Sequence, residues 1–322
     1  MSRLLVIVRP RAIAVTALAV AALAAPALLS GCGSSTPAAG ASGTTAVAVS
    51  LYPLQYAVEQ VGGTRVAVTN LATPGVEPHD LELTPRDVLT LTSATLVVYE
   101  RGFQPAVDQV IADEPPAHVL DVSPAADLPL ASSSAGDGHE HAGQTQASAA
   151  VDPHFWLDPT RYAKAAAAIA GALTTADPAH RGEYENNAKA FTQRLHALDA
   201  EYTAALERCA TTTFVTSHAA FGYLADRYGL TQVAISGLSP ESEPQPARLA
   251  QVASTVRAHG VGTVYTETLV SPAVAATVAK ETGAKTAVLD PIEGLTDASA
   301  GRTYPEVMRA NLAALKKGQN CS

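Results

Sequence analysis

The sequence predicts an α/β architecture of two lobes, each a mostly parallel sheet flanked by helices, joined by one long rigid helix. Three observations carry this. Short apolar runs alternate with helical patterns through residues 46–122, and the same alternation resumes after residue 209. Between the two halves lies an amphipathic stretch without loop composition. Strands that alternate with helices form parallel sheets, because a parallel pair needs a crossover. Apolar residues make up 47% of the 322 positions, enough for an ample core.

In chain order, Arg3, Arg9 and Arg11 precede an apolar run over residues 12–29 that ends in Leu29-Ser30-Gly31-Cys32. A charged start, an apolar middle and small residues at the cut are the pattern of an export signal. The ending resembles a bacterial lipobox, which implies cleavage before Cys32 and a lipid on it. Residues 1–32 are then a lipoprotein signal peptide, and everything beyond lies outside the cytoplasm. Residues 33–45 are Gly, Ser, Thr, Ala and one Pro, a composition suited to a flexible tether.

The N-terminal lobe is expected over residues 46–177. Strands are expected at 46–50, 65–70, 94–99 and 118–122, and a helix at 54–61 ended by Gly62 and Gly63. A second helix runs to Ser93, with Thr84 as its cap and Pro85 in the first helical position. Residues 131–150 are rich in Ser, Gly and Ala, show no periodicity and carry His139-Glu140-His141, which predicts a disordered surface loop. The joining helix is expected over 178–208, where Tyr184, Phe191, Leu195, Leu198, Tyr202 and Leu206 keep one face. The C-terminal lobe is expected over 209–322. Its strands are placed at 212–217, 231–235, 262–267 and 285–289, and its helices at 219–228, 245–259, 271–282 and 306–317.

The net charge is −9, and no basic run occurs beyond the first dozen residues. Nucleic-acid binding needs clustered Lys and Arg and is excluded on that ground. If Cys32 carries lipid, Cys209 and Cys321 remain; outside the cytoplasm such a pair is expected to be bridged rather than left as two buried thiols.

Three of the nine histidines share a setting: His79 after a strand, His154 just before a helix, and His218 at the carboxyl end of a strand. Ligands in α/β folds collect at such ends. Imidazole nitrogen suits zinc, which takes four tetrahedral ligands. Asp290 and Glu293 follow the last strand and are both candidates for the fourth place. Glu77 can reach a metal or orient His79 from behind. Trp156, the single tryptophan, either walls the site or packs in the core.

The runs Glu77-Pro-His-Asp, Asp152-Pro-His-Phe-Trp-Leu-Asp-Pro, Phe214-Val-Thr-Ser-His-Ala-Ala-Phe-Gly-Tyr-Leu-Ala, Gly237-Leu-Ser-Pro-Glu-Ser-Glu-Pro and Leu289-Asp-Pro occur in one order. In this the chain resembles the zinc-specific branch of the cluster A-I substrate-binding lipoproteins of metal ABC importers. The resemblance implies two lobes with zinc as transported ligand between them, held by His79, His154 and His218. The fourth family ligand maps most simply onto Asp290, with Glu293 or water as alternatives. Manganese-binding relatives have a carboxylate at the third position, where this chain has His218; more nitrogen favours zinc. The pair His139 and His141 resembles the His-rich loop of zinc-branch members, an auxiliary zinc-capture site. The implied partners are an ABC permease with its ATPase and, through the lipid on Cys32, the cell membrane; the implied state is a monomer. A manganese or iron carrier and a metal-binding adhesin are the rival readings within this fold. A zinc hydrolase is the rival outside it, and neither His-Glu-x-x-His nor Gly-x-Ser-x-Gly occurs to favour it.

Overall fold

The computed structural model describes residues 43–130 and 151–322. Cys32, most of the expected tether, and the pair His139 and His141 lie outside the described residues. The first lobe contains β1 (Thr45–Val49), α1 (Tyr52–Gly62), β2 (Val66–Asn70), α2 (Pro85–Ser93), β3 (Leu96–Tyr99), α3 (Pro105–Asp113), β4 (Val119–Asp121) and the single turn α4 (Ser123–Ala126). A 3-10 turn (Phe155–Leu157) leads into α5 (Pro159–Ala176), and α6 (Arg181–Leu206) crosses to the second lobe. There follow β5 (Thr213–Thr216), α7 (Gly222–Tyr228), β6 (Thr231–Ala234), α8 (Pro246–Ala258), β7 (Thr263–Thr266), α9 (Ala273–Thr282), β8 (Lys285–Val288) and α10 (Tyr304–Gly318).

All strand pairs in the two sheets are parallel, in the orders β2-β1-β3-β4 and β6-β5-β7-β8. The strand order reverses between β1 and β3 and again between β5 and β7, so each sheet offers a crevice at its carboxyl edge. Both faces of each sheet are covered, as the side-chain period of two requires. Val47 and Val49 of β1 and Leu96 and Val98 of β3 face the inner core, while Ala48, Val97 and Tyr99 face outward with α2 and α3 residues. In the second lobe Phe214 and Tyr265 face inward, and Val215 and Val264 face α8 and α9.

The joining helix is α6, whose buried residues Tyr184, Ala188, Phe191, Leu195, Leu198, Tyr202 and Leu206 recur at intervals of three and four. This stripe belongs to one continuous apolar cluster that also holds β1 and β3 residues on one side and Phe214, Tyr265 and Met308 on the other. The lobes are thus packed on a shared spine, and Gly43–Ser322 is one compact unit. Arg65 pairs with Glu183, Arg227 with Asp199, and Arg309 with Glu201, so charged forks hold elements of both lobes to α6. These pairs are partly solvated and act more on orientation than on stability.

Element ends depart from the sequence reading where side chains intervene. Residues 178–180 form a 3-10 turn ahead of α6, with Tyr184 Oη donating to Asp177 at 2.7 Å and His180 Nδ1 2.6 Å from the same oxygen. Helix α7 starts at Gly222 rather than Ala219; residues 219–221 remain in the His218 loop, where the Ala219 N–H donates to the Gly237 carbonyl at 2.9 Å. Helix α9 starts at Ala273, two residues later than expected, and the Ser271 hydroxyl accepts the Ala273 N–H at 3.4 Å. Thr84 and Asp87 form a reciprocal capping box on α2, worth about 1 kcal/mol.

A disulfide joins Cys209 to Cys321, with an S–S distance of 2.00 Å and 112 residues of separation. It ties the chain terminus to the end of α6. Closing a loop of that size stabilises by roughly 4–5 kcal/mol in the chain-entropy model. A fragment of residues 43–322 unfolded without reductant is expected to show no free thiol in a thiol titration, and two after reduction. The reduced form should lose several kcal/mol in denaturant unfolding.

Candidate metal centre

Four side chains meet where the carboxyl edges of the two sheets face each other: His79, His154, His218 and Glu293. His79 follows β2, His218 is two residues past β5, Glu293 follows β8, and His154 opens the 3-10 turn before α5. His79 Nε2 is 3.3 Å from His154 Nε2 and 3.4 Å from Glu293 Oε1. His218 Nε2 is 3.4 Å from His154 Nε2 and 3.1 Å from Glu293 Oε1. His154 Nε2 is 3.0 Å from Glu293 Oε1. Ligands about 2.0–2.1 Å from a tetrahedral zinc stand ~3.3 Å from one another, so these spacings are close to the edges of that tetrahedron.

The residues behind each ligand aim it. Asp152 Oδ1 accepts from the His154 backbone N–H at 3.0 Å and faces its Nδ1 at 2.8 Å. Glu267 holds His218 in the same way, with its two oxygens 3.0 Å from the backbone nitrogen and 2.5 Å from Nδ1. A carboxylate on Nδ1 keeps the proton there and leaves the Nε2 lone pair free for a metal. For His79 the support is on the backbone: Glu77 Oε1 accepts its N–H at 3.1 Å, and the Gln104 amide donates to the Pro78 and Ser50 carbonyls at 2.9 and 3.0 Å. The His79 ring stands edge-on to Phe103, 4.4 Å between centroids. His154, His218 and Glu293 are fully buried, whereas His79 borders a cavity of about 790 Å³ also lined by Glu100, Leu128, Val151 and Leu238.

Asp290, expected as the fourth ligand, is not in this group. It precedes Pro291, and its Oδ1 accepts the Ile292 N–H at 2.8 Å while its Oδ2 accepts the Ser299 hydroxyl at 3.0 Å. Asn311 locks its backbone from both sides. The resulting turn places Ile292 at φ 61°, a left-handed conformation costly for a β-branched residue. The next residue, Glu293, is thereby turned into the cluster. Trp156 does more than either expected role: its indole N–H donates to the Pro291 carbonyl at 2.7 Å, and its own carbonyl accepts from Tyr304 Oη at 2.6 Å. It braces the Glu293 loop of one lobe against the His154 turn of the other. Asp152 and Glu267 were not singled out from the sequence. Asp152, two residues before a histidine in Asp-Pro-His, and Glu267, at the end of a strand beside β5, carry the positional signals that could have found them.

Charge in the cluster is strongly coupled. Burial works against the Glu293 carboxylate, yet the surrounding imidazoles, His218 foremost, hold it well below the usual range. Burial likewise opposes a charged imidazole at His218, but Glu267 and Glu293 hold its proton well above the usual range. At His154 burial is again overcome, by Asp152 and Glu293, and the shift is upward. Burial pushes His79 down. Glu77 is pushed up to about 8, by burial and then by Glu293.

A crevice that gathers three imidazoles and one carboxylate between two packed α/β lobes is a site able to hold a metal ion. The chain belongs to the family described as ZnuA, zinc-uptake complex component A, periplasmic, which residues 47–318 match. It is 38% identical to the zinc-binding lipoprotein AdcA of Streptococcus pneumoniae over 86% of this chain and 56% of that protein. It thus spans little more than half the length of the AdcA lipoprotein it matches. It is 35% identical to the high-affinity zinc uptake system protein ZnuA of Bacillus subtilis, over 84% of this chain and 86% of that one. The crystal structure of Zn(II)-bound AdcA from S. pneumoniae superposes with a TM-score of 0.71 at 35% identity, over 86% of this chain and 58% of that chain. The laminin binding protein Lmb of Streptococcus agalactiae, described as bifunctional with adhesin and metal transporting activity, gives 0.73 at 33%, over 86% and 99%. Among the described residues, no helix is long and apolar enough to cross a membrane.

The charge state generates a prediction. Without metal, His218 and His154 hold protons above the ordinary histidine range, and a metal must displace them. Metal affinity should therefore fall as pH drops and rise with pH until those imidazoles are neutral. Titrating zinc between about pH 5.5 and about pH 8 in weak buffer with a pH-indicator dye should show affinity rising with pH and protons released on binding. A flat affinity with no release would contradict the assigned charge state.

Proposed function

We propose that this chain is a zinc-capturing lipoprotein that binds the ion between its lobes through His79, His154, His218 and Glu293 and delivers it to an ABC permease driven by its ATPase. The observation that carries the reading is the convergence of four ligand atoms, all within 4.8 Å of one another. Family membership and the relatives' descriptions support it. Three nitrogens and one oxygen favour zinc over manganese, which prefers carboxylate and water. The ion exchanges its hydration shell for three neutral imidazoles and one carboxylate, leaving a singly positive buried centre.

In this reading the fourth ligand is Glu293, and Asp290 shapes the turn that presents it. The lipid on Cys32 keeps the carrier, as a monomer, on the extracytoplasmic face of the membrane. The shared core along α6 argues against wide lobe closure, so release proceeds through movement of the His79 loop, which borders the cavity. The permease must therefore bind the metal-poor arrangement better than the loaded one.

The test is a titration of zinc and manganese into the metal-stripped fragment 43–322 and its variants. Wild type should bind one zinc tightly and manganese weakly. His218→Ala and Glu293→Gln should each lose more than the ~10–100-fold expected of a residue behind a ligand. Asp290→Asn should lose less than Glu293→Gln. Equal zinc affinity in wild type and His218→Ala would end the proposal.

A further inference from the structure

Gly222 opens α7 and faces Asp152 across the junction of the lobes. An ideal Cβ on Gly222 would stand 2.4 Å from Asp152 Oδ2 and 3.6 Å from its Cγ, where ordinary contact begins at 3.4 Å. A methyl group cannot be accommodated without movement of one partner. Asp152 is buried, its N–H donates to the Leu130 carbonyl at 3.0 Å, and Pro153 follows it directly. The freest part is the carboxylate itself. Its Oδ1 is the atom that accepts the His154 N–H and faces His154 Nδ1, so a rotation that frees Oδ2 from residue 222 takes Oδ1 off His154.

We infer that Gly222 is a positioning residue for the metal centre: the missing side chain at the start of α7 leaves the space from which Asp152 fixes the His154 ring. The inference rests on the zinc-carrier reading. The backbone at Gly222 lies outside the left-handed region, so the local conformation gives no reason for glycine here. The second histidine clamp is independent of this contact, because Glu267 comes from β7 and holds His218. Gly171, also within a helix, has nothing within 4 Å of an ideal Cβ and serves as the control.

The experiment measures zinc affinity for wild type, Gly171→Ala, Gly222→Ala, Asp152→Ala and the double variant Asp152→Ala/Gly222→Ala. Gly222→Ala and Asp152→Ala should each weaken zinc binding by ~10–100-fold, the range for residues that orient a metal ligand. Gly171→Ala should bind as wild type does. The double variant should be no weaker than Asp152→Ala alone, since the two changes act through one carboxylate. In proton spectra of the zinc-loaded protein, the low-field ring N–H signal of His154 should shift or vanish in Gly222→Ala while that of His218 stays. If Gly222→Ala fails to fold, the double variant should recover soluble protein. Wild-type affinity in Gly222→Ala, multiplied losses in the double variant, or no recovery of folding would overturn the inference. Absence of zinc binding by wild type and Gly171→Ala would instead sink the carrier reading on which it rests.

Discussion

Lone pairs on three imidazoles and the charge on one carboxylate are gathered within 4.8 Å of one another, five of the six pairs at 3.0–3.4 Å. Without a cation or protons among them these groups repel or lose solvation, so the cluster cannot be what holds itself together. The force comes from behind. Asp152 and Glu267 grip the outer nitrogens of His154 and His218, Gln104 pins the Pro78 carbonyl next to His79, and the Asp290 turn drives Glu293 inward. A site built in this way is preorganised: on the zinc-carrier proposal, an ion would replace protons rather than organise a loop.

That preorganisation draws on the packing of the whole molecule. The His79 and His154 segments belong to one lobe, and those of His218 and Glu293 to the other. A fixed relation between lobes is therefore a condition for four ligand atoms to meet. Helix α6 supplies it through a stripe of seven buried side chains packed against both sheets. Nearer the site, Trp156 supplies it again by bonding to Pro291 and receiving the Tyr304 hydroxyl. His79 is the ligand set at the cavity and the one whose ring is supported by packing on Phe103 rather than by a carboxylate.

The repeating α/β pattern, the spine helix and the three histidines were legible because each rests on local signals: periodicity, caps, and junctions of Pro, Asp and Ser. The capping pair Thr84 and Asp87 shows how little tertiary context such a signal needs. The choice between Asp290 and Glu293 as the fourth member of the cluster stayed open in the sequence. Asp290 and Glu293 both follow β8, and only the turn reveals that the nearer one spends its oxygens on Ile292 and Ser299. Glu267 escaped notice because its partner lies 49 positions away in sequence and adjoins it only once β5 and β7 pair. The contact between Gly222 and Asp152 is equally non-local, 70 positions apart in sequence, and no periodicity or cap signals it.

The central claim is that one zinc ion sits among these four side chains. A crystal structure of the zinc-loaded fragment 43–322, with anomalous scattering at the zinc edge, tests it most directly. The account expects one strong peak about 2.0–2.1 Å from Nε2 of His79, His154 and His218 and about 2.0–2.2 Å from Glu293. A peak ligated by Asp290, or by fewer than three of these imidazoles, would contradict it.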